Sequence, residues 1–266
     1  MSKLPIWLRM ISNAAASLVL GFLVLPILAV VPASFNKASF IALPPRNYSG
    51  VWYERFFEDV EWQTSLYNSL QVAVIATAIA VVLGTLAAIG LRRLSGRWRA
   101  SITALFLAPM IVPVVVTAVA LYRSALDVGL SGTIFGMSLG HMILALPFVV
   151  INVGIALRGV DDNWLKAASG LGGGSWTVFR TITLPNIVPG IVGGAIFSFI
   201  TSFDEVVVAV FLAGYSNKTL PVKIWESIRL EFTPVIAVAA TMMIVLAIVL
   251  FAVAQFASRS QGNSAR

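Results

Sequence analysis

The sequence predicts an all-α integral membrane protein with six transmembrane helices, and three observations carry that prediction. Only 11% of the 266 residues are charged, while 59% are hydrophobic; soluble domains carry roughly 25% charged residues. The charges are missing from six long stretches: between Arg9 and Lys37, Glu61 and Arg92, Arg99 and Arg123, Asp127 and Arg158, Arg180 and Asp204, and Glu231 and Arg259. Each stretch holds the ~20 residues that cross a bilayer core of about 30 Å at 1.5 Å per residue. Backbone amides find no water there, so the spans are predicted as helices.

The spans are placed near Ile11–Val31, Ser69–Leu91, Ile102–Leu121, Phe135–Leu157, Ile187–Gly214 and Pro234–Phe256. The first is read as a retained span, with a cleaved leader as the alternative, because small residues follow the apolar run in "VVPAS". Aromatics and acids alternate between Lys37 and Tyr67, which suits a helix at the headgroup level or a plain interfacial linker. Pro109 and Pro113 fall inside the third span and predict a kinked, protein-packed helix. Gly132, Gly136 and Gly140, and again Gly190 and Gly194, recur at four-residue spacing, a pattern that lets helices approach closely but says nothing of function. His141 is the single histidine; without a second ligand or nucleophile it is read as packed and hydrogen-bonded, with a proton relay as the alternative.

The net charge of +7 is explained by topology better than by nucleic acid. With the N-terminus inside, Lys3, Arg9, Arg92, Arg93, Arg97, Arg99, Arg158, Lys166, Arg180, Arg259 and Arg266 all lie on the inner side, and most acids lie outside. That bias predicts cytoplasmic N- and C-termini. Cysteine is absent, so there is no disulfide framework or thiol nucleophile. No phosphate loop, H-E-x-x-H or G-x-S-x-G motif occurs. The chain is therefore predicted to have no catalytic residues, no metal site and no cofactor of its own. Any energised work draws on an ion gradient or a partner.

One stretch does not fit a simple connector: "LKAASGLGGGSWTVFRTITLP", Leu165 to Pro185. Asp161 or Asp162 can cap a short helix beginning at Asn163, with Leu165, Ala168 and Leu171 on one face. Gly172, Gly173 and Gly174 interrupt it. Ser175 can cap a second helix, carrying Trp176, Phe179 and Ile182 on one face, until Pro185 breaks it. Joining two spans needs only a short loop, so this helix–glycine–helix reads as a docking knob for a soluble partner, or else as an amphipathic connector on the headgroups.

In the register alanine-alanine, three residues, glycine, nine residues, isoleucine-x-leucine-proline, Ala167, Ala168, Gly172, Ile182, Leu184 and Pro185 resemble the EAA loop of permease subunits from bacterial binding-protein-dependent ABC importers. Lys166 stands where that pattern has glutamate. The resemblance implies a type I ABC importer permease fold, with residues 1–266 as a single transmembrane permease domain and a coupling loop at about 158–186. It implies that Leu165, Lys166, Ala167, Ala168, Gly172, Ile182, Leu184 and Pro185 insert a coupling helix into a cytoplasmic ATPase. Lys166 is then expected to face an acidic or neutral group there. It further implies a second permease, two ATPase subunits using ATP and Mg, a periplasmic solute-binding protein, and the bacterial inner membrane. "SFDEVVVAVFLAG", "TLPVKIWESIR" and "TPVIAVAAT" are similar to permeases of spermidine and putrescine importers. Importers of iron, thiamine or phosphonate share the architecture and stay open as alternatives.

Asp204 and Glu205 are the sharpest polar feature within a span, about 26 Å along the fifth helix from Ile187. Carboxylates at that depth typically face a bundle interior or a wet path, and Thr201 and Ser202 precede them with hydroxyls. All four are candidates for a cation path. The other reading breaks the span near Ser202 and leaves the acids at the interface. A proton-coupled secondary transporter using His141, Asp204 and Glu205 is a different function class, and a membrane anchor without transport a third reading.

Overall fold

The computed structural model describes residues 5–40, 44–45, 47–230 and 233–262. Lys3, Glu231 and Arg266, which enter the charge pattern, lie outside the described residues. Among the described residues the chain is helical: α1 (Ile6–Ser34), α2 (Val51–Glu58), α3 (Val60–Arg93), α4 (Gly96–Ile111), α5 (Val114–Asp127), α6 (Ile134–Arg158), α7 (Asp162–Gly170), α8 (Ser175–Val178), a π turn (Phe179–Thr183), α9 (Leu184–Phe203), α10 (Val207–Leu212), α11 (Leu220–Leu230) and α12 (Val235–Gly262). Five helical stretches are long and apolar enough to span a membrane: Trp7–Ser34, Val60–Arg93, Ile134–Arg158, Ser175–Phe203 and Val235–Val253. Among the described residues the number rises to six if the bent pair, α4 with α5, is counted as one broken span.

The bent pair corrects the single kinked third span expected at Ile102–Leu121. α4 and α5 meet at 101°, because Val112 leaves the helix with ψ at 133° and Pro113 opens α5 as its N-cap. The ring of Pro113 crowds the residue before it out of the α region. Pro109 stays inside α4. α5 buries Ala118 and Ala125, whereas α4 buries none of its residues, so the protein-packed expectation holds for α5 alone.

Contacts divide the chain into two compact units, one of residues 1–60 and 226–246 and one of residues 61–225 and 247–266. In the first, Tyr53 of α2 stacks on Phe35 at 4.9 Å, and its hydroxyl lies 2.8 Å from Ser34 Oγ at the end of α1. Asn36 and Tyr48 form an isolated antiparallel bridge that returns the chain to α2. The segment of mixed aromatics and acids thus contains a helix, with Trp52 and Phe56 buried.

The second unit is built on α6. One face of α6 packs Met137 and Leu144 with Val72 of α3, Ala118 of α5 and Val208, Ala209 and Leu212 of α10. Its other end packs Val149, Val153 and Leu157 with Ala80 and Ala88 of α3 and Ile187 of α9. Small residues set these spacings, since apolar lipid leaves van der Waals contact as the main attraction between spans. A Cβ on Gly194 would lie 2.9 Å from Val149 Cα, and one on Gly190 would lie 2.7 Å from Asn152 O. Gly84 sits as close to Val149 from α3. Gly132 differs from its expected packing role: its φ of 76° marks it as a turn residue.

These contacts predict that Gly194→Leu lowers thermal stability of the purified chain, by roughly 1–3 kcal/mol from overpacking. Gly90→Leu, where a Cβ meets nothing within 4 Å, should leave the melting temperature unchanged. Equal effects would mean that α9 does not lie on α6 as described.

Candidate functional site

The stretch between α6 and α9 folds as a helix, a glycine turn and a second helix. Asp161 is the N-cap of α7, its carboxylate accepting from the Asn163 amide at 2.8 Å, and Asp162 adds a second carboxylate to the first turn. Both oppose the positive end of the helix dipole. α7 ends at Gly170, and Gly172 turns the chain with φ +87°. Only glycine takes that conformation without cost. The Gly173 amide donates to Ala168 O at 3.0 Å, and a Cβ on Gly173 would come within 2.7 Å of that same oxygen. The turn therefore uses one glycine for its dihedral and the next for its space.

The second arm departs from the sequence reading twice. Gly174, not Ser175, is the N-cap of α8, with no side-chain cap bond. Pro185 does not end the arm either; helical backbone runs unbroken from Ser175 to Phe203. The π turn explains why. The Leu184 amide donates to Phe179 O, five residues back, so the ladder has already widened before reaching Pro185. In an α-helix Pro185 would fail to donate to residue 181 and its ring would clash there; the wide turn shifts the ladder ahead of the ring and so eases the clash.

Burial sorts the motif residues. Leu165, Ile182 and Leu184 pack onto the cluster formed by α3, α6 and α9, and Ala168 is half-buried. Lys166, Ala167, Gly172 and Pro185 are exposed. Leu171 shares a face with Leu165 yet is 90% exposed, and Trp176 is 71% exposed beside Phe179, ring centroids 5.4 Å apart. The loop is thus fastened to the helices underneath while Leu171, Trp176 and half-exposed Trp164 stand outward. Neither Lys166 nor Arg180 has an ion-pair partner among the described residues.

Arg92, at the end of α3, fastens the loop further. Its Nη2 donates to Val160 O at 2.6 Å and to Asp162 Oδ1 at 2.5 Å. Sequence reasoning missed this role, treating Arg92 only as part of the positive cluster "RRLSGRWR". Val160 is buried and its carbonyl needs a donor, whereas the Asp162 side chain is 74% exposed. Arg92→Ala should therefore speed limited proteolysis within the loop severalfold, while Asp162→Asn, which keeps the bond to Val160, should change it little. Parallel digests of the two variants check this; equal gains would make the ion pair the operative contact.

The second cluster lies where the fifth span ends. The span was expected to continue to Gly214, but α9 stops at Phe203, Asp204 is its C-cap, and α10 starts at Val207. The break puts Asp204 on the surface and leaves Glu205 half-buried, in agreement with the alternative that the span breaks near Ser202. His141 of α6 supplies a cause. Its Nδ1 lies 3.0 Å from both the carbonyl oxygen and Oγ of Ser202. A carbonyl only accepts, so Nδ1–H donates to it and satisfies the group that residue 206 would otherwise bond. Nε2 is buried with no hydrogen-bond partner among the described residues. His141 is thus packed and hydrogen-bonded, as read from the sequence. Glu205 Oε1 accepts from the Val208 amide at 2.9 Å and caps α10. Ser202 is buried and Thr201 half-buried, and Ser198 Oγ donates to Ala145 O at 3.0 Å, holding α9 to α6.

Residues 80–262 match the family described as binding-protein-dependent transport system inner membrane component. The chain is 33% identical over 251 residues to the spermidine/putrescine transport system permease protein PotC of Haemophilus influenzae, covering 94% of this chain and 97% of that one. It is 33% identical over 239 residues to the putrescine transport system permease protein PotI of Escherichia coli, covering 85% of this chain and 84% of that one. Among solved structures, a chain of a bacterial ABC transporter that imports the acidic polysaccharide alginate superposes with a TM-score of 0.71 at 16% identity, covering 96% of this chain and 99% of that chain. That last likeness speaks to the fold alone.

Proposed function

The chain belongs to the binding-protein-dependent transport system inner membrane component family, as the multi-pass permease subunit of an ABC importer, and from that premise we propose that it carries a polyamine. The near full-length likeness to PotC is the observation that supports the cargo. In this reading the whole chain acts as one permease domain that forms half of the translocation path beside a second permease. A periplasmic binding protein delivers the solute, and two ATPase subunits supply the energy with ATP and Mg. The chain itself performs no catalysis.

Leu165, Lys166, Ala167, Ala168, Gly172, Ile182, Leu184 and Pro185 form the coupling element, divided by burial into two jobs. Leu165, Ile182 and Leu184 transmit force to the helix bundle because they pack into it. The exposed residues, with Leu171 and Trp176, meet the ATPase on the cytoplasmic side. Exposed apolar side chains of this size on a short projecting loop fit a docking surface. Closure of the ATPases then moves α7 and α8, and with them α9. The termini are cytoplasmic in this arrangement.

Asp204 is the acid offered to the solute, since it is exposed at the break between α9 and α10. Glu205, Ser202 and Thr201 shape that break more than they meet the cargo. The experiment is uptake of spermidine by proteoliposomes holding the permeases, the ATPases and a loaded binding protein. Uptake should require ATP and survive a protonophore. Uptake that collapses with the proton gradient would favour the secondary-transporter reading.

A further inference from the structure

A cavity of about 640 Å³ opens between the ends of α3, α4 and α6, beside the start of α7. Arg92, Arg99 and Arg158 line it together with a single acid, Asp162. Asp162 is already engaged by Arg92, and neither Arg99 nor Arg158 has an ion-pair partner among the described residues. The remaining wall is largely apolar, with Leu107 of α4 and Ile151 and Ile155 of α6. Arg99 and Leu107 are eight residues apart on one helix, about 12 Å. Arg158 and Ile151 stand in the same order on α6. The cavity is thus cationic at one end and apolar along its length.

We propose that this cavity binds an anionic phospholipid, its phosphate among Arg99, Arg158 and Arg92 and its acyl chains along Leu107, Ile151 and Ile155. Basic pockets between spans at a membrane surface suit such headgroups. A cationic solute is repelled by the same arginines, so the cavity does not serve as its path. A small soluble anion would leave the apolar wall unfilled. Ile155 is 60% exposed and α4, with Leu105 71% exposed, buries none of its residues, so the apolar wall of the cavity continues onto uncovered apolar surface of this chain. The leaflet follows from the reading of α7 as the cytoplasmic end; the lipid class does not depend on it.

The test measures lipid retained by the assembled transporter in mild detergent, by native mass spectrometry after addition of phosphatidylglycerol or phosphatidylcholine. The complex should keep phosphatidylglycerol and release phosphatidylcholine. Arg99→Gln with Arg158→Gln should lower retention about tenfold or more. Arg93→Gln with Arg97→Gln removes the same charge from exposed residues outside the cavity and should leave retention nearly unchanged. Gly154→Leu keeps every arginine but fills the cavity, because Gly154 lines it and a Cβ there meets nothing within 4 Å; it should also displace the lipid. Equal retention of both lipids, or retention unaffected by both cavity changes, would overturn the proposal. So would loss of the ATPase with lipid retained, which would assign the arginines to a partner's carboxylates.

Discussion

Gly173→Val is expected to abolish ATP-driven uptake while the chain still inserts in the membrane and pairs with its partner permease. The new Cβ would meet Ala168 O at 2.7 Å. That neighbour is backbone, so only the turn itself can yield. Opening it loses the Gly173 amide bond to Ala168 and changes the angle between α7 and α8. Gly172→Val attacks the same turn through its φ of 87°, at a cost of about 1–2 kcal/mol or more for a β-branched residue. The spans are untouched, so expression and permease pairing should hold. Gly174→Ala, with open space at its Cβ and an ordinary φ of −66°, should transport normally. Uptake in proteoliposomes and ATPase retention on an affinity column, measured together, check the set. Full uptake by Gly173→Val would mean that the turn transmits nothing.

Asp204→Asn is expected to cut polyamine uptake tenfold or more with assembly intact. A carboxylate about 4 Å from an ammonium group gains roughly 4 kcal/mol at an effective dielectric of 20, far above the ~1.4 kcal/mol that makes a tenfold change. The side chain is exposed and makes no hydrogen bond that holds the break together; that work falls to Ser202, His141 and Glu205. Removing its charge should therefore spare the fold. Asp204→Glu should recover part of the activity. Unchanged uptake by Asp204→Asn at subsaturating solute would remove Asp204 from the path.

The six apolar stretches are legible in the sequence because exclusion of charge from lipid is a one-dimensional signal. The α7 cap and the glycine turn are legible for a similar reason, since Asp161 and Gly172 act on neighbours within a few residues. Apart from the one-residue shift of the α8 cap to Gly174 and the turn at Gly132, the misreadings involve partners farther away or backbone that adapts. Pro185 carries the mark of a helix end, yet the π turn ahead of it accommodates the ring, and nothing in "FRTITLP" announces that turn. The end of α9 at Phe203 depends on His141, a residue of another span. Arg92 meets Asp162 across 70 residues of sequence, so its clamp shows only in three dimensions. Pro113 is the intermediate case: its presence was legible, but not that it opens a second helix at 101° instead of kinking one.

The chain's lack of cysteine makes a direct measurement of the proposed docking possible. Leu171→Cys, at a position 90% exposed in the loop, and Tyr215→Cys, at one 92% exposed outside it, each place one thiol on the chain. Maleimide labelling is followed on the paired permeases before and after the ATPase subunits are added. Addition should suppress labelling at residue 171 and leave residue 215 as reactive as before. Undiminished labelling at residue 171 in the assembled, transport-competent complex would contradict the docking of this loop.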